Sequence, residues 1–168
     1  MSLLVASDPA WPALAVDLAA PWRDTVAGVR VVHHIGSTAV PGLPAKPVID
    51  LLPVFDSLDA MEAARLPVEK MGYEWLGEYG LPGRRYARRD TDTGSRQVQA
   101  HCYVDGSPAI TRHLAFRDAL RSTPALRAAY TAEKARCAGL YAGDAAAYGA
   151  CKSGWIDKAE ARALERLT

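Results

Sequence analysis

A short segment of this sequence combines residue types that bind phosphate and metal ions. Gly36, Ser37 and Thr38 come first, and a single carboxylate, Asp50, lies in an apolar run with twelve residues between Ser37 and it. Glycine lets the backbone approach a ligand closely, and hydroxyl and amide groups hold anionic oxygens. A carboxylate inside a buried strand is costly unless it is paired or binds a metal. The alternatives are a plain tight turn and a buried salt bridge from Asp50 to Lys46 or an arginine.

The two common glycine-rich fingerprints for phosphate are absent from this segment. A P-loop requires GxxxxGK[ST] and a dinucleotide-binding turn requires GxGxxG, and neither pattern occurs between Gly36 and Lys46. The segment therefore does not indicate a standard P-loop kinase or a dinucleotide-binding enzyme.

The elements that must position these residues are strands followed by helices. β-branched and apolar runs predict strands over 29–35, 46–55, 73–79, 84–89 and 97–104. A first helix is predicted after Asp8-Pro9, and a second from Ser57 through Met71 with a break at Pro67. Cap signals at 107–108, 123–124 and 144 predict three C-terminal helices. The pattern indicates an α+β fold, a mixed sheet with N-terminal helices and a C-terminal three-helix segment packed on it, as a single domain over 1–168.

Basic residues elsewhere in the chain are candidates for binding phosphate. Arg84 lies at the start of a predicted strand, where alternation places Tyr86 on its own face. Arg117, Lys134 and Lys152 lie on the three successive C-terminal helices, each within an apolar stretch. Helices closing over the sheet would direct all three at one anion. Alternatively, Arg84 belongs to a solvated edge strand, where charged side chains prevent aggregation. The aliphatic parts of the three helical side chains would then pack against apolar neighbours, while their charged ends reach water.

Histidines add a candidate metal ligand. His101 lies on the last predicted strand. It is either a ligand of a divalent ion or a core histidine whose hydrogen bonds are satisfied within the protein. His34 directly precedes the glycine loop, and we expect it to steady that loop rather than to take part in chemistry.

Composition limits the class of protein. The chain has 168 residues, 49% of them hydrophobic, and a net charge of +1, which argues against nucleic acid as a partner. No apolar run is long enough for a membrane helix, and no signal peptide is evident. The three cysteines show no CxxC spacing, which predicts reduced thiols rather than disulfides or a zinc site. Reduced thiols are typical of the cytoplasm, so we expect a cytoplasmic protein.

The order of the motifs resembles a known superfamily. The nucleotidyltransferase signature consists of an apolar residue, Gly-[Gly/Ser], a spacer and then Asp-x-[Asp/Glu]. This sequence is similar to it, with Ile35-Gly36-Ser37 followed by twelve residues and then by Asp50. The longer stretches HIGSTAVPGL over 34–43 and AKPVID over 45–50, with LPGRRY over 81–86 and later blocks, resemble the GrpB family across most of the chain. The resemblance implies that the loop holds phosphates and that Asp50, with His101, holds one Mg²⁺ or Mn²⁺.

One position departs from the superfamily pattern. The second metal-binding acid is replaced by Leu52, so at most one ion is expected. Our first hypothesis is a nucleotidyltransferase-like enzyme that binds a nucleoside triphosphate or another small phosphorylated ligand through Gly36, Ser37, Thr38 and the four basic residues above. The second is a non-catalytic ligand-binding or accessory module, linked to CoA metabolism because related domains are fused to dephospho-CoA kinase.

Overall fold

A five-stranded mixed sheet forms the centre of the protein. The structure is a computed structural model that describes residues 4–167. The strand order is β1-β2-β5-β4-β3, in which β2 and β5 run parallel and the other neighbours antiparallel. The strands are β1 Val29–Ile35, β2 Ile49–Phe55, β3 Glu74–Trp75, β4 Arg85–Asp90 and β5 Arg96–Val104.

Six α-helices of the described chain cover the sheet. They are α1 Trp11–Thr25, α2 Leu58–Ala63, α3 Arg65–Lys70, α4 Pro108–Ser122, α5 Pro124–Leu140 and α6 Ala145–Glu165. Their starts follow local signals: the Ser57 hydroxyl accepts a hydrogen bond from the Ala60 amide, and Asp144 caps α6. Prolines occupy the first turns of α4 and α5, where the missing N–H costs nothing.

The two faces of the sheet are buried by different helices. The first face packs against α1–α3 through a large cluster that includes Trp22, Leu51 and Phe55, all fully buried. The opposite face, which carries Asp50 and Leu52, packs against the C-terminal helices. Since neighbouring residues of a strand point to opposite faces, Asp50 faces α4–α6 while Leu51 faces the N-terminal helices. This arrangement confirms the predicted α+β class.

Two predicted elements differ from those in the structure. The strand predicted over 73–79 is reduced to Glu74–Trp75, because glycines with positive φ at 77, 80 and 83 turn the chain repeatedly. The helix predicted from Ser57 to Met71 breaks at Ala64 rather than at Pro67. Pro67 lies in the first turn of α3, where backbone N–H groups have no intrahelical partner in any case.

The prediction that all cysteines are reduced thiols was wrong. Cys137 on α5 and Cys151 on α6 form a disulfide, with their Cα atoms 5.8 Å apart. The two helices are consecutive and pack against each other, which brings together two positions 14 residues apart in sequence. Cys102 is the free cysteine of the described chain, and it is buried.

The prediction that residues 1–168 form a single domain stays a prediction, and residues 1–3 and 168 lie outside the described part of the chain. In the region from 4 to 167, no helix has the length and apolar character needed to cross a membrane.

Candidate functional site: a basic cleft around Asp50

Strand pairing brings the glycine loop against Asp50. β1 and β2 are antiparallel neighbours with Ile35 opposite Asp50, so the chain leaves β1 at Gly36 beside the carboxylate. Gly36 has φ +71°, a left-handed conformation that favours glycine. A Cβ on Gly36 would lie 2.4 Å from Asp50 Oδ2, closer than atoms can pack. The glycine is therefore required by both the backbone turn and the proximity of the carboxylate.

The Asp50 carboxylate accepts two hydrogen bonds from β5. Gln99 Nε2 donates to Asp50 Oδ1 at 2.7 Å, and His101 Nε2 lies 3.2 Å from the same oxygen. Gln99 is fixed in turn by Tyr86, whose hydroxyl donates to Gln99 Oε1 at 2.6 Å. Both bonds end on Oδ1, and Oδ2 lies against Gly36. Asp50 is thus oriented by β4 and β5 rather than by a salt bridge to Lys46.

His101 is held between Asp50 and Arg84. Arg84 Nη1 lies 3.5 Å from His101 Nδ1, and a guanidinium group only donates hydrogen bonds. With Nδ1 as the acceptor from Arg84, Nε2 is the ring nitrogen that donates to Asp50. Both ring nitrogens face protein groups, so the histidine orients the carboxylate in this arrangement.

Residues after Gly36 form a short 3₁₀ turn, Ser37–Ala39, that His34 steadies. His34 Nε2 and Thr38 Oγ1 are 2.9 Å apart. Burial lowers the pKa of His34 to about 4, so the ring is neutral at pH 7. This contact agrees with the expectation that His34 supports the loop.

Lys134 reaches the same turn from α5. Its side chain is 1% exposed, and Nζ donates to Ser37 Oγ at 3.3 Å and to the Pro44 carbonyl. Burial, together with the nearby charge of Lys152, lowers the pKa of Lys134 to about 7. The Lys134 ammonium group is buried against neutral oxygens, so no negative charge balances it there. An anion bound at Ser37 would supply that charge.

Two more lysines flank a tyrosine on α6. Lys46 Nζ lies 4.5 Å from the centre of the Tyr148 ring and Lys152 Nζ lies 5.0 Å from it. Burial lowers the pKa of both lysines. The negative faces of an aromatic ring attract cations, so Tyr148 helps to hold the two ammonium groups near each other despite their repulsion.

These groups line one cleft of about 630 Å³ between the sheet and α5–α6. Five of the predicted site residues line it: Ser37, Thr38, Asp50, Lys134 and Lys152. Seven polar or aromatic lining residues were not predicted as site residues: Lys46, Tyr79, Tyr86, Arg88, Arg96, Gln99 and Tyr148. Strand alternation could have found Tyr86 and Arg88, which alternate with Arg84, and Gln99, which alternates with His101 on β5.

Arg84 and Arg117 do not line this cleft. Arg84 is buried, and besides His101 it contacts the carbonyls of Glu78 and Tyr79. Arg117 on α4 donates to the His34 carbonyl at 3.1 Å and pairs with Asp118. Both arginines brace the backbone behind the cleft, Arg84 at the Tyr79 loop and Arg117 at the end of β1.

The cleft carries an excess of positive charge. Arg88 is paired with Glu74 and Arg96 with Asp90. In contrast, Lys46, Lys134 and Lys152 form no salt bridge with a carboxylate of residues 4–167. Three lysines therefore face one aspartate, an arrangement suited to an anionic ligand with several charged oxygens.

The donor set limits the kind of metal that the cleft fits. Within residues 4–167, the one group of three or more potential His, Cys, Asp or Glu ligands is Glu133, Cys137 and Cys151, whose sulfurs are joined in the disulfide. Asp50 offers one carboxylate, which suits Mg²⁺ or Mn²⁺ held mainly by ligand phosphates and water. A fully protein-coordinated ion does not fit here.

The fold and the site together define an α+β protein with a mixed sheet and a lysine-rich cleft around a single carboxylate. The chain belongs to the GrpB family, since the family model described as GrpB protein matches residues 3–162. This match confirms the family that the sequence motifs indicated.

Known proteins similar to the chain include both sequences and solved structures. The UPF0157 protein YqkA of Bacillus subtilis is 38% identical over 80% of this chain, which spans only 39% of that relative. A dephospho-CoA kinase of Mycolicibacterium paratuberculosis is 34% identical over 96% of this chain and 46% of its own length. The crystal structure of GrpB from Enterococcus faecalis superposes with a TM-score of 0.89 at 34% identity, covering 98% of both chains. The Cid1 poly(U) polymerase gives a TM-score of 0.47 at 17% identity, over 88% of this chain and 49% of that one.

Proposed function

We propose that the cleft binds a nucleoside triphosphate, or another small phosphorylated ligand, together with one divalent ion at Asp50. The observation that carries this proposal is the set of three lysines without carboxylate partners around Ser37 and Asp50. A polyphosphate supplies the negative charge that these ammonium groups lack, and the Ser37 hydroxyl with the amides of its turn adds neutral donors.

The metal has one clear position in this proposal. Asp50 would hold Mg²⁺ or Mn²⁺ through Oδ2, the carboxylate oxygen that accepts neither hydrogen bond, and the ligand's phosphates and water would supply the remaining oxygens. Such an ion neutralises charge between phosphates. Gln99 and His101 hold the other carboxylate oxygen, so the ion would meet an already oriented ligand.

The reaction class that these groups support is nucleotidyl transfer. An acceptor hydroxyl or amine would attack the α-phosphate in line with the leaving pyrophosphate. Lys46, Lys134 and Lys152 would stabilise the charge that develops on the leaving group, because they are buried or partly buried and already in place. Arg84 and Arg117 contribute by positioning, through His101 and the end of β1 respectively.

A non-catalytic binding module is the second candidate, and Leu52 is the observation that favours it. Leu52 is fully buried with Ile35 and Tyr103, so the place of a second metal acid belongs to the apolar core. A module of this kind would keep the lysine cleft and bind its ligand without turnover. Its similarity to part of a dephospho-CoA kinase makes CoA precursors suitable ligands to test.

A thermal-shift screen separates these possibilities. Wild type and Asp50→Asn would be heated with nucleotides, CoA precursors and phosphosugars, each with and without Mg²⁺ or Mn²⁺. A ligand at about 100 times its Kd adds about 2.7 kcal/mol, which raises Tm by roughly 5–10 °C in a chain of this size. Asp17→Asn is the matched control, since Asp17 is exposed on α1.

The outcomes discriminate clearly. A metal-dependent rise that Asp50→Asn abolishes and Asp17→Asn retains supports the enzyme, and assays with that nucleotide then follow. A rise that is independent of metal and of Asp50 supports the binding module. No rise with any ligand, together with no binding by calorimetry, contradicts the whole proposal.

A further inference from the structure

Tyr79 presents an aromatic ring to the cleft that the three lysines line. The loop that connects β3 to β4 contains it, and its side chain is 58% exposed although it lines the cleft. A partly open aromatic ring that lines the cleft is available to contact a ligand bound there.

The backbone at Tyr79 is also unusual. Its φ is +46°, the one positive value at a non-glycine residue in the described region 4–167. A bulky residue in this conformation is strained, and such strain persists where the surrounding structure enforces it, often at ligand sites. Glycine would relieve the strain but would remove the ring.

Several contacts hold the ring in place. Tyr79 stacks on Tyr86 with ring centres 5.0 Å apart and planes inclined by 10°. Arg84 Nη2 donates to the Tyr79 carbonyl at 2.7 Å, and the Gly83 amide donates to Glu78 Oε1 at 2.8 Å. One ring face is therefore covered by Tyr86, and the loop is fixed beneath it, which leaves the other face as a preformed platform.

The platform is connected to the proposed phosphate site. Tyr86 is bonded through Gln99 to Asp50, so the aromatic pair and the carboxylate form one continuous network. In the sheet, β5 separates β4 from β2, and Tyr86 pairs with His101, two residues along β5 from the Gln99 that pairs with Asp50. Two strand spacings and this offset put the Cα atoms of Tyr86 and Asp50 about 12 Å apart. A ribose with its phosphates spans a distance of this order.

We infer that Tyr79 stacks against the nucleobase of a nucleotide whose phosphates lie on Lys46, Lys134 and Lys152. The inference rests on the proposed function and makes it specific: the ligand is a nucleotide rather than a phosphosugar or free polyphosphate. An aromatic ring stacks on every nucleobase, so Tyr79 would favour ligands that contain a base but would not discriminate among the bases.

The test compares ATP with inorganic tripolyphosphate by calorimetry in Mg²⁺, on wild type, Tyr79→Ala, Tyr79→Phe and Leu81→Ala. Leu81 is the matched control because it is exposed on the same loop and does not line the cleft. We expect ATP to bind wild type about tenfold more tightly than tripolyphosphate. Tyr79→Ala should bring the ratio close to one, while Tyr79→Phe and Leu81→Ala preserve it. Circular dichroism and Tm establish that each variant is folded.

Each remaining outcome overturns the inference in a recognisable way. Equal affinities of wild type for ATP and tripolyphosphate would refute base stacking while leaving a phosphate site intact. A preference for ATP that survives in Tyr79→Ala would place the base elsewhere. If neither compound binds wild type, the proposed function fails and the stacking role fails with it.

Discussion

The Asp50 carboxylate lies against the backbone of Gly36, so that a Cβ at Gly36 would fall 2.4 Å from Asp50 Oδ2. The two residues are 14 positions apart, and the antiparallel pairing of β1 with β2 brings them together. The glycine loop and the carboxylate thus form one unit, and a change at either residue acts on both.

Gly36→Ala should disrupt the site as well as the fold. The added Cβ displaces the carboxylate and also demands positive φ from an alanine, so we expect a loss of about 2–4 kcal/mol in the free energy of unfolding. Gly42→Ala is the control, because Gly42 has a similar φ of +76° and a Cβ there would meet no atom within 4 Å. It should lose only about 1 kcal/mol. Urea denaturation measures both, and equal losses would show that the contact with Asp50 is unimportant.

Lys134 should make ligand binding depend on pH near neutrality. Its pKa is lowered from 10.5 to about 7, so the ammonium group that an anion needs is lost as the pH rises through 7. We expect ATP affinity to fall several-fold between about pH 6 and 8. Lys134→Arg keeps its charge over this range, so its affinity for ATP should change less with pH. Because the ionisation of ATP affects both proteins equally, the difference between their calorimetric affinities reports on Lys134. A parallel decline in both would exclude Lys134 as the titrating group.

The same pKa shift predicts a trend in stability. Between about pH 7 and 10.5 the unfolded chain holds more protons on this lysine than the folded chain does. Lys134 should therefore make the free energy of unfolding increase with pH across this window. The Lys134→Met variant should lack this increase. Denaturation of wild type and Lys134→Met at several pH values measures the difference, and identical slopes would contradict the assignment.

Leu52→Asp should fail to create a second metal ligand. Leu52 is 0% exposed and packs with Ile35 and Tyr103, so the substitution removes a core side chain and buries a charge. We expect a loss of more than about 3 kcal/mol. Leu52→Val is the control and should cost about 1 kcal/mol. A stable Leu52→Asp protein with increased Mg²⁺ affinity would show instead that this position opens to the cleft.

Removing the disulfide should loosen the lysine side of the cleft. Cys137 and Cys151 join α5 to α6, the helices that carry Lys134 and Lys152. The double variant Cys137→Ser/Cys151→Ser should lose about 3 kcal/mol by the loop-entropy estimate and bind ATP more weakly. Reductant should destabilise wild type by a similar amount and leave the double variant unchanged. If wild type is insensitive to reductant, the disulfide contributes little to stability.

Much of the local structure could be predicted from the sequence. Ser57, Pro108, Pro124 and Asp144 mark helix starts correctly, because capping depends on a few neighbouring residues. The break at Ala64 is not predicted, since Pro67 fits the first turn of a new helix as well as it ends an old one. The glycine-rich loop over 77–83 is predicted partly as strand because apolar residues are interspersed there.

The pairing of the glycine loop with Asp50 was determined by the sequence, because two strands that follow each other in the chain commonly become neighbours in a sheet. Which basic groups surround the carboxylate was decided by tertiary structure alone. Lys134 and Lys152 reach the cleft, whereas Arg117 turns to the His34 carbonyl. The rotation and crossing of α4–α6 determine these directions, and they depend on how all the side chains of three helices pack, which no local pattern specifies.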